Sequence, residues 1–208
     1  KGLARSHITI LDALLKLRQT CCDPRTLSLK EAQKVKQSAK LDLLMELLPE
    51  LLEEGRRILV FSQFTKMIAL IEAELKTRKI AYSKLTGQTK NRDEAIDLFT
   101  GGTVDVFLIS LKAGGVGLNL TEADTVIIYD PWWNPAVESQ AADRAYRIGQ
   151  EKPVFVYKLI TENTVEEKIL ALQEKKRALA SGVYQENNEQ GFNLTAEDLT
   201  ALFDPVQS

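Results

Sequence analysis

The sequence has few of the residues that build disulfide frameworks or metal sites. Cysteine occurs only as the adjacent pair Cys21 and Cys22 in 208 residues. Two neighbouring thiols exclude a disulfide framework and favour a reducing compartment, where cysteines pack as small apolar side chains. The single histidine, His7, has no partner at metal-ligand spacing, so we expect a structural or incidental role and no metal site.

The chain also lacks a long apolar run, a signal peptide and an excess of charge. No apolar stretch approaches the roughly 18 residues of a membrane helix, so we expect a soluble, intracellular protein with no membrane partner. The net charge of −2 excludes a global basic field, and any nucleic-acid contact needs a local cluster of basic side chains and backbone amides. The chain begins without methionine inside a helical pattern, as expected of a fragment.

Apolar strands and helices alternate along most of the chain. This spacing predicts an α/β fold with an open parallel sheet and helices on both faces. The strands are expected in "RILVFSQF", "AYSKLTG", "VDVFLIS", "TVIIYD" and "VFVYKLI". Helical appendages are expected at both ends: residues 1–54 form a helical segment leading into the sheet domain, 55–182 are that domain with its following helix, and 183–208 are a polar linker and a short C-terminal helix.

A glycine-rich segment, "SLKAGGVGLNL", follows the third strand. In an open parallel sheet, ligands bind at the carboxyl ends of the strands. Gly114, Gly115 and Gly117 allow close backbone approach, so successive N–H groups can face an anion. Glycines after a strand also form ordinary tight turns, so this segment leaves both a phosphate loop and a turn open.

A helix is predicted after the fourth strand, over residues 135–148. Asn134 is a good N-cap for it. Gln140, Arg144 and Arg147 then fall at i, i+4 and i+7, on one face. Arginine forks match phosphate oxygens, which indicates a polyphosphate-binding surface. A solvated face with Asp143 paired to Arg147 is the alternative, and charge alone does not separate the two.

Three segments together carry a resemblance to a known family: "ILVFSQF", "LKAGGVGLNLTEADTVIIYDPWWNP" and "QAADRAYRIGQ". They strongly resemble motifs of the second RecA-like lobe of the Swi/Snf-family ATPases, helicase-like superfamily-two motors that translocate on double-stranded DNA. "LRQTCCDP" near the start resembles the family's segment just before that lobe. The likeness runs from about residue 14 to 180 and looks greatest to the bacterial members.

The resemblance assigns roles to residues by position. It makes Arg144 and Arg147 the catalytic arginines that reach the γ-phosphate of ATP held by the other lobe. Gln140, Gly115 and Gly117 match further positions at the nucleotide. The positions that match DNA contacts are Ser62, Gln63, Thr86, Gly87, Ser110, Lys112, Ala113 and Trp133. Around Gly87 the match to the family pattern is looser than elsewhere.

The resemblance also implies that half of the nucleotide site lies elsewhere. No segment fits G-x-x-x-x-G-K-[ST], and the only histidine, His7, is not part of a metal-holding D-E-x-H sequence. We therefore expect ATP and Mg²⁺ to be shared with an N-terminal RecA-like lobe of the same protein, and this fragment to be inactive alone. The expected location is cytoplasmic, nucleoid-associated in a bacterium and nuclear in a eukaryote.

Two other function classes remain open. An RNA-directed helicase lobe shares the fold, although the "DPWWNP" and "RIGQ" segments argue against it. A non-catalytic scaffold lobe could bind a partner such as RNA polymerase, but the intact pair of arginines argues against that.

Overall fold

A computed structural model describes residues 2–114, 118–145, 153–182 and 195–204. The α-helices in these ranges are α1 Gly2–Cys22, α2 Ala39–Glu53, α3 Thr65–Thr77, α4 Arg92–Thr100, α5 Leu111–Gly114, α6 Pro135–Ala142, α7 Val165–Gly182 and α8 Ala196–Phe203. The strands are β1 Ile58–Ser62, β2 Tyr82–Leu85, β3 Val106–Ser110, β4 Thr125–Ile128 and β5 Phe155–Lys158. None of the helices in these ranges is long and apolar enough to cross a membrane.

The five strands form one parallel sheet in the order β2-β3-β1-β4-β5. Ser62 at the end of β1 lies opposite Ser110 at the end of β3, and Phe61 lies opposite Ile128 of β4. Because all strands run in one direction, their carboxyl ends meet at one edge of the sheet. The predicted open parallel sheet is confirmed.

The sheet is covered on both faces because its central strands alternate apolar side chains between them. On one face, Ile58 and Val60 of β1 pack with apolar residues of α2 and α3. On the other, Leu59 and Phe61 pack with residues of α4 and α6, including Phe99. Every residue of β1 and β3 is buried, which explains the nearly continuous apolar runs in the sequence.

The N-terminal and C-terminal helices pack on each other beside the sheet. Leu14 of α1 shares an apolar cluster with Ile169 of α7 and Leu199 of α8. A buried ion pair between Lys40 of α2 and Glu166 of α7, 2.6 Å long, ties this cluster to the sheet domain. The helical appendages predicted from the sequence are thus in contact with each other and with the domain.

The segment between α1 and α2 differs in detail from the sequence prediction. The expected loop contains two short 3₁₀ helices, Pro24–Thr26 and Ala32–Lys34. Ser38 occupies the N-cap position of α2, but its hydroxyl donates to the Cys22 carbonyl at 3.1 Å and makes no capping bond. That carbonyl is one of the groups at the end of α1 that lack a helical partner, and the Ser38 hydroxyl supplies a donor for it. The division of the chain at residues 54 and 182 stays a prediction.

Candidate functional site

The carboxyl edge of the sheet brings together most of the residues singled out in the sequence. Ser62, Thr86 and Ser110 lie at or next to the ends of β1, β2 and β3, which are neighbours in the sheet. Trp133 follows β4 in the next position along the edge. Gly115, Gly117 and Arg147 lie outside the described residues.

Ser62 and Gln63 are fixed at the end of β1 by a buried carboxylate. The Gln63 N–H donates to both oxygens of Asp130, at 3.3 and 3.1 Å. Burial raises the pKa of Asp130, against the opposing effects of the Ser62 hydroxyl and the Arg18 charge. The Ser62 hydroxyl also accepts from the Phe64 N–H at 3.1 Å. The Gln63 backbone is therefore held, while its side-chain Nε2 is buried without a hydrogen-bond partner.

The loop after β2 is closed by its own hydroxyl groups. Thr86 donates its N–H to Oγ1 of Thr89 at 2.9 Å, and its own Oγ1 accepts from the Gln88 N–H at 3.2 Å. Gly87 is exposed, and a Cβ built there would meet nothing within 4 Å. The protein's own packing therefore does not require glycine at position 87.

The end of β3 turns directly into the four-residue helix α5. The Ser110 hydroxyl accepts from the Ala113 N–H at 3.3 Å, and the Ala113 carbonyl accepts from Arg92 at 3.1 Å. Ala113 is buried and Lys112 is exposed. Lys112 is thus a cation presented at the strand edge, next to the buried end of β3.

The two tryptophans after β4 form a stacked pair. The rings of Trp132 and Trp133 are 3.8 Å apart at an angle of 26°. Glu138 of α6 accepts from the Trp132 N–H at 2.9 Å, and Gln173 of α7 donates to both Glu138 and the Trp132 carbonyl. Lys158 of β5 completes the network with a 2.5 Å ion pair to Glu138.

A groove of about 630 Å³ runs between α1 and this edge. Its walls include Leu11, Leu15 and Arg18 of α1, and Gln63, Lys112, Trp132 and Trp133 on the other side. The position of α1 beside the predicted DNA contacts was not expected from the sequence. The signal that could have found it is the "LRQTCCDP" segment, in which Arg18 is the only basic residue.

Helix α6 is shorter than predicted. It begins at Pro135 with Asn134 as N-cap, whose side chain accepts from the Ala136 N–H at 2.9 Å, as expected. It ends at Ala142 instead of continuing to residue 148. Arg144 and Ala145 donate to carbonyls three residues back, which tightens the last turn. The Arg144 carbonyl accepts from the Leu120 N–H at 3.0 Å and so is tied to the end of the glycine-rich segment.

Gln140 and Arg144 consequently have different surroundings. Gln140 is exposed on α6, whereas Arg144 is only 8% exposed in the turn that follows. The Arg144 Nε is buried without a hydrogen-bond partner. Leaving a buried donor unpaired costs about 1–3 kcal/mol, and more for a charged group. An anion at this position would supply the acceptor that Arg144 lacks.

Comparison with known proteins supports the same α/β fold. The family model described as the helicase conserved C-terminal domain matches residues 39–149. The chain is 35% identical to the Sulfolobus solfataricus SWI2/SNF2 ATPase core domain, with a TM-score of 0.72 over 96% of this chain and 41% of that one. The same core solved in complex with double-stranded DNA gives 36% identity and a TM-score of 0.72, over 95% and 42%.

Curated relatives come from distant organisms. The mouse SWI/SNF-related matrix-associated actin-dependent regulator of chromatin, subfamily A member 1, is 40% identical over 93% of this chain and 20% of its own length. An uncharacterised ATP-dependent helicase of Mycoplasma pneumoniae is 41% identical over 96% of this chain and 19% of its own. The bacterial origin expected from the sequence therefore stays a prediction.

The chain belongs to the helicase conserved C-terminal domain family, and within it to the Swi/Snf group, as the C-terminal RecA-like lobe. It spans about a fifth of the length of the curated relatives it matches.

Proposed function

We propose that this chain is the second motor lobe of an ATP-dependent double-stranded DNA translocase of the Swi/Snf type. The main support is the environment of Arg144. Its buried Nε has no hydrogen-bond partner, and its carbonyl accepts from Leu120 at the end of the glycine-rich segment. In this proposal Arg144 and Arg147 are the arginine fingers of a site whose other half lies in the first lobe.

The residues of this chain fit the terminal phosphate of ATP better than the whole nucleotide. Arg144 offers a guanidinium for phosphate oxygens, and Gln140, Gly115 and Gly117 are proposed as further nucleotide-binding residues. No group of three metal-ligating side chains occurs in the described part of the chain. In this proposal the residues that hold Mg²⁺ are carboxylates of the first lobe. Bound ATP·Mg²⁺ supplies the phosphoryl group that is transferred to water.

Catalysis in this proposal depends on closure of the two lobes. The arginines meet the γ-phosphate only in the closed state, where they stabilise the charge that develops during transfer. An arginine finger is worth about 10³–10⁵ in rate, or roughly 4–7 kcal/mol of barrier. The fragment alone is therefore expected to be inactive.

The DNA surface in this proposal is the carboxyl edge of the sheet. In the proposal, exposed Lys112 supplies a cation and exposed Gly87 a backbone amide, while the buried Ser62, Thr86 and Ser110 position the three neighbouring strand ends. Such groups bind phosphate oxygens without a basic face, which fits a chain of net charge −2. An intracellular location, at the nucleoid or in the nucleus, is part of the proposal.

The test is the nucleotide turnover of the whole protein with different polymers. We expect duplex DNA to stimulate ATP hydrolysis and RNA to have little effect. Stimulation by RNA alone would favour an RNA-directed helicase lobe instead. Absence of hydrolysis with either polymer would favour a scaffold that binds a partner such as RNA polymerase.

A further inference from the structure

Arg18 is a buried arginine on α1, outside the matched domain of residues 39–149. It is 2% exposed, and its guanidinium carbon lies 4.6 Å from the ring centre of Trp132 and 5.1 Å from that of Trp133. The ring of Phe64, just after β1, lies 5.6 Å away. A single cation from α1 thus contacts aromatic rings that follow two different strands.

The polar contacts of Arg18 point to the same loop. Its Nη2 donates to the Pro131 carbonyl at 3.0 Å. Its charge also acts on Asp130, the carboxylate that holds the Gln63 N–H. Arg18 therefore touches or influences the whole segment from Asp130 to Trp133, and through Asp130 the end of β1.

Lysine could not replace this arrangement. A planar guanidinium can lie on ring faces and still donate in its own plane, whereas an ammonium is a compact, strongly hydrated charge. Glu138 and Gln173 hold only the backbone of Trp132. On the indole side, Arg18 lies over both rings and Trp133 packs on the apolar cluster of α1, α7 and α8.

We propose that Arg18 is a positioning residue, which sets the orientation of the Trp132–Trp133 pair and so links α1 to the DNA-contacting edge. The DNA part of this inference rests on the proposed function. The orientation of the indoles does not, and it can be measured without DNA.

The orientation is tested by tryptophan spectroscopy on the 208-residue chain, because Trp132 and Trp133 are its only tryptophans. Arg18→Gln removes the charge, Arg18→Met retains the apolar bulk of the stem, and Arg18→Lys retains the charge without the planar guanidinium. Lys16→Gln is the matched control, since Lys16 is exposed on the same helix and pairs with Asp12. We expect the first three variants to lose most of the exciton-coupled circular dichroism of the stacked indoles and to gain acrylamide quenching, and Lys16→Gln to match the wild type.

The link between Arg18 and the DNA-contacting edge is tested on the whole protein by the amount of DNA translocation per ATP hydrolysed. We expect Arg18→Met to reduce it by about tenfold, with basal hydrolysis unchanged. Wild-type indole signals in a folded Arg18→Met chain would overturn the positioning role. Altered indoles with wild-type coupling would overturn its link to DNA, and a wild-type protein that DNA does not stimulate would instead contradict the proposed function.

Discussion

Arg18 and Arg144 are both buried, but their surroundings assign them different roles. Arg18 is surrounded by three aromatic rings and a carbonyl that accepts its hydrogen bond. Arg144 keeps a buried Nε without a partner. A satisfied buried cation organises the residues around it, whereas an unsatisfied one has the properties of a ligand site. We therefore propose a structural role for Arg18 and a catalytic role for Arg144.

At the residue scale we predict that Trp133→Ala in the whole protein uncouples ATP hydrolysis from movement on DNA. Trp133 borders the groove beside Gln63 and Lys112, so its removal deletes an aromatic contact surface and leaves the strand ends intact. Triplex displacement per ATP hydrolysed should fall by about tenfold, a loss on the scale of one stacking contact. Trp133→Phe, which retains a ring, is the control. Full translocation by Trp133→Ala would contradict the prediction.

At the scale of elements, the strands and most helices could be predicted and one helix end could not. The runs in β1 and β3 are apolar throughout because both faces of the sheet are covered, so local sequence was sufficient. Just past the end of α6, the Arg144 carbonyl accepts from the Leu120 N–H, a contact between distant segments that no local pattern reveals. For the same reason Arg18 was not recognised, since its partner Pro131 is 113 positions away.

The prediction at this scale concerns Glu72 of α3, which binds side chains of β2. It accepts from Tyr82 and Lys84, both at 2.6 Å. Burial alone would raise the pKa of Glu72, but the hydrogen bonds from Lys84, Tyr82 and Lys76 lower it to about 2. The unfolded value is about 4.3, so the ionised carboxylate stabilises the fold above that pH and loses the effect as pH falls towards 2.

Glu72→Gln should therefore lower the free energy of unfolding of the chain at pH 7 by about 1 kcal/mol, the usual worth of partly screened charged hydrogen bonds. The difference from wild type should shrink between pH 4.3 and 2, as followed by urea unfolding at several pH values. Glu74→Gln is the control, because Glu74 makes only a longer, exposed pair with Arg78 on the same helix. A pH-independent difference for Glu72→Gln would contradict the account.

At the scale of the whole molecule, the chain is proposed to contact two ligands, a nucleotide and DNA. Its carboxyl edge presents Gly87, Lys112 and the tryptophan pair, and the turn after α6 holds the buried Arg144. Helices α1, α7 and α8 form a separate apolar cluster, and Trp133 at this edge packs against it. The arrangement suits a lobe that acts on a nucleotide and on DNA held partly by another domain.

The central claim is that Arg144 acts on the terminal phosphate of a nucleotide bound mainly by the first lobe. The most direct measurement is DNA-stimulated ATP turnover of the whole protein carrying Arg144→Ala or Arg147→Ala. Arg56→Ala is the matched control, since Arg56 precedes the amino end of β1 and pairs with Glu54. We predict a fall of about 10³-fold or more for the two arginine variants, with nucleotide affinity largely retained and Arg56→Ala active. Near-normal turnover of Arg144→Ala would contradict the claim.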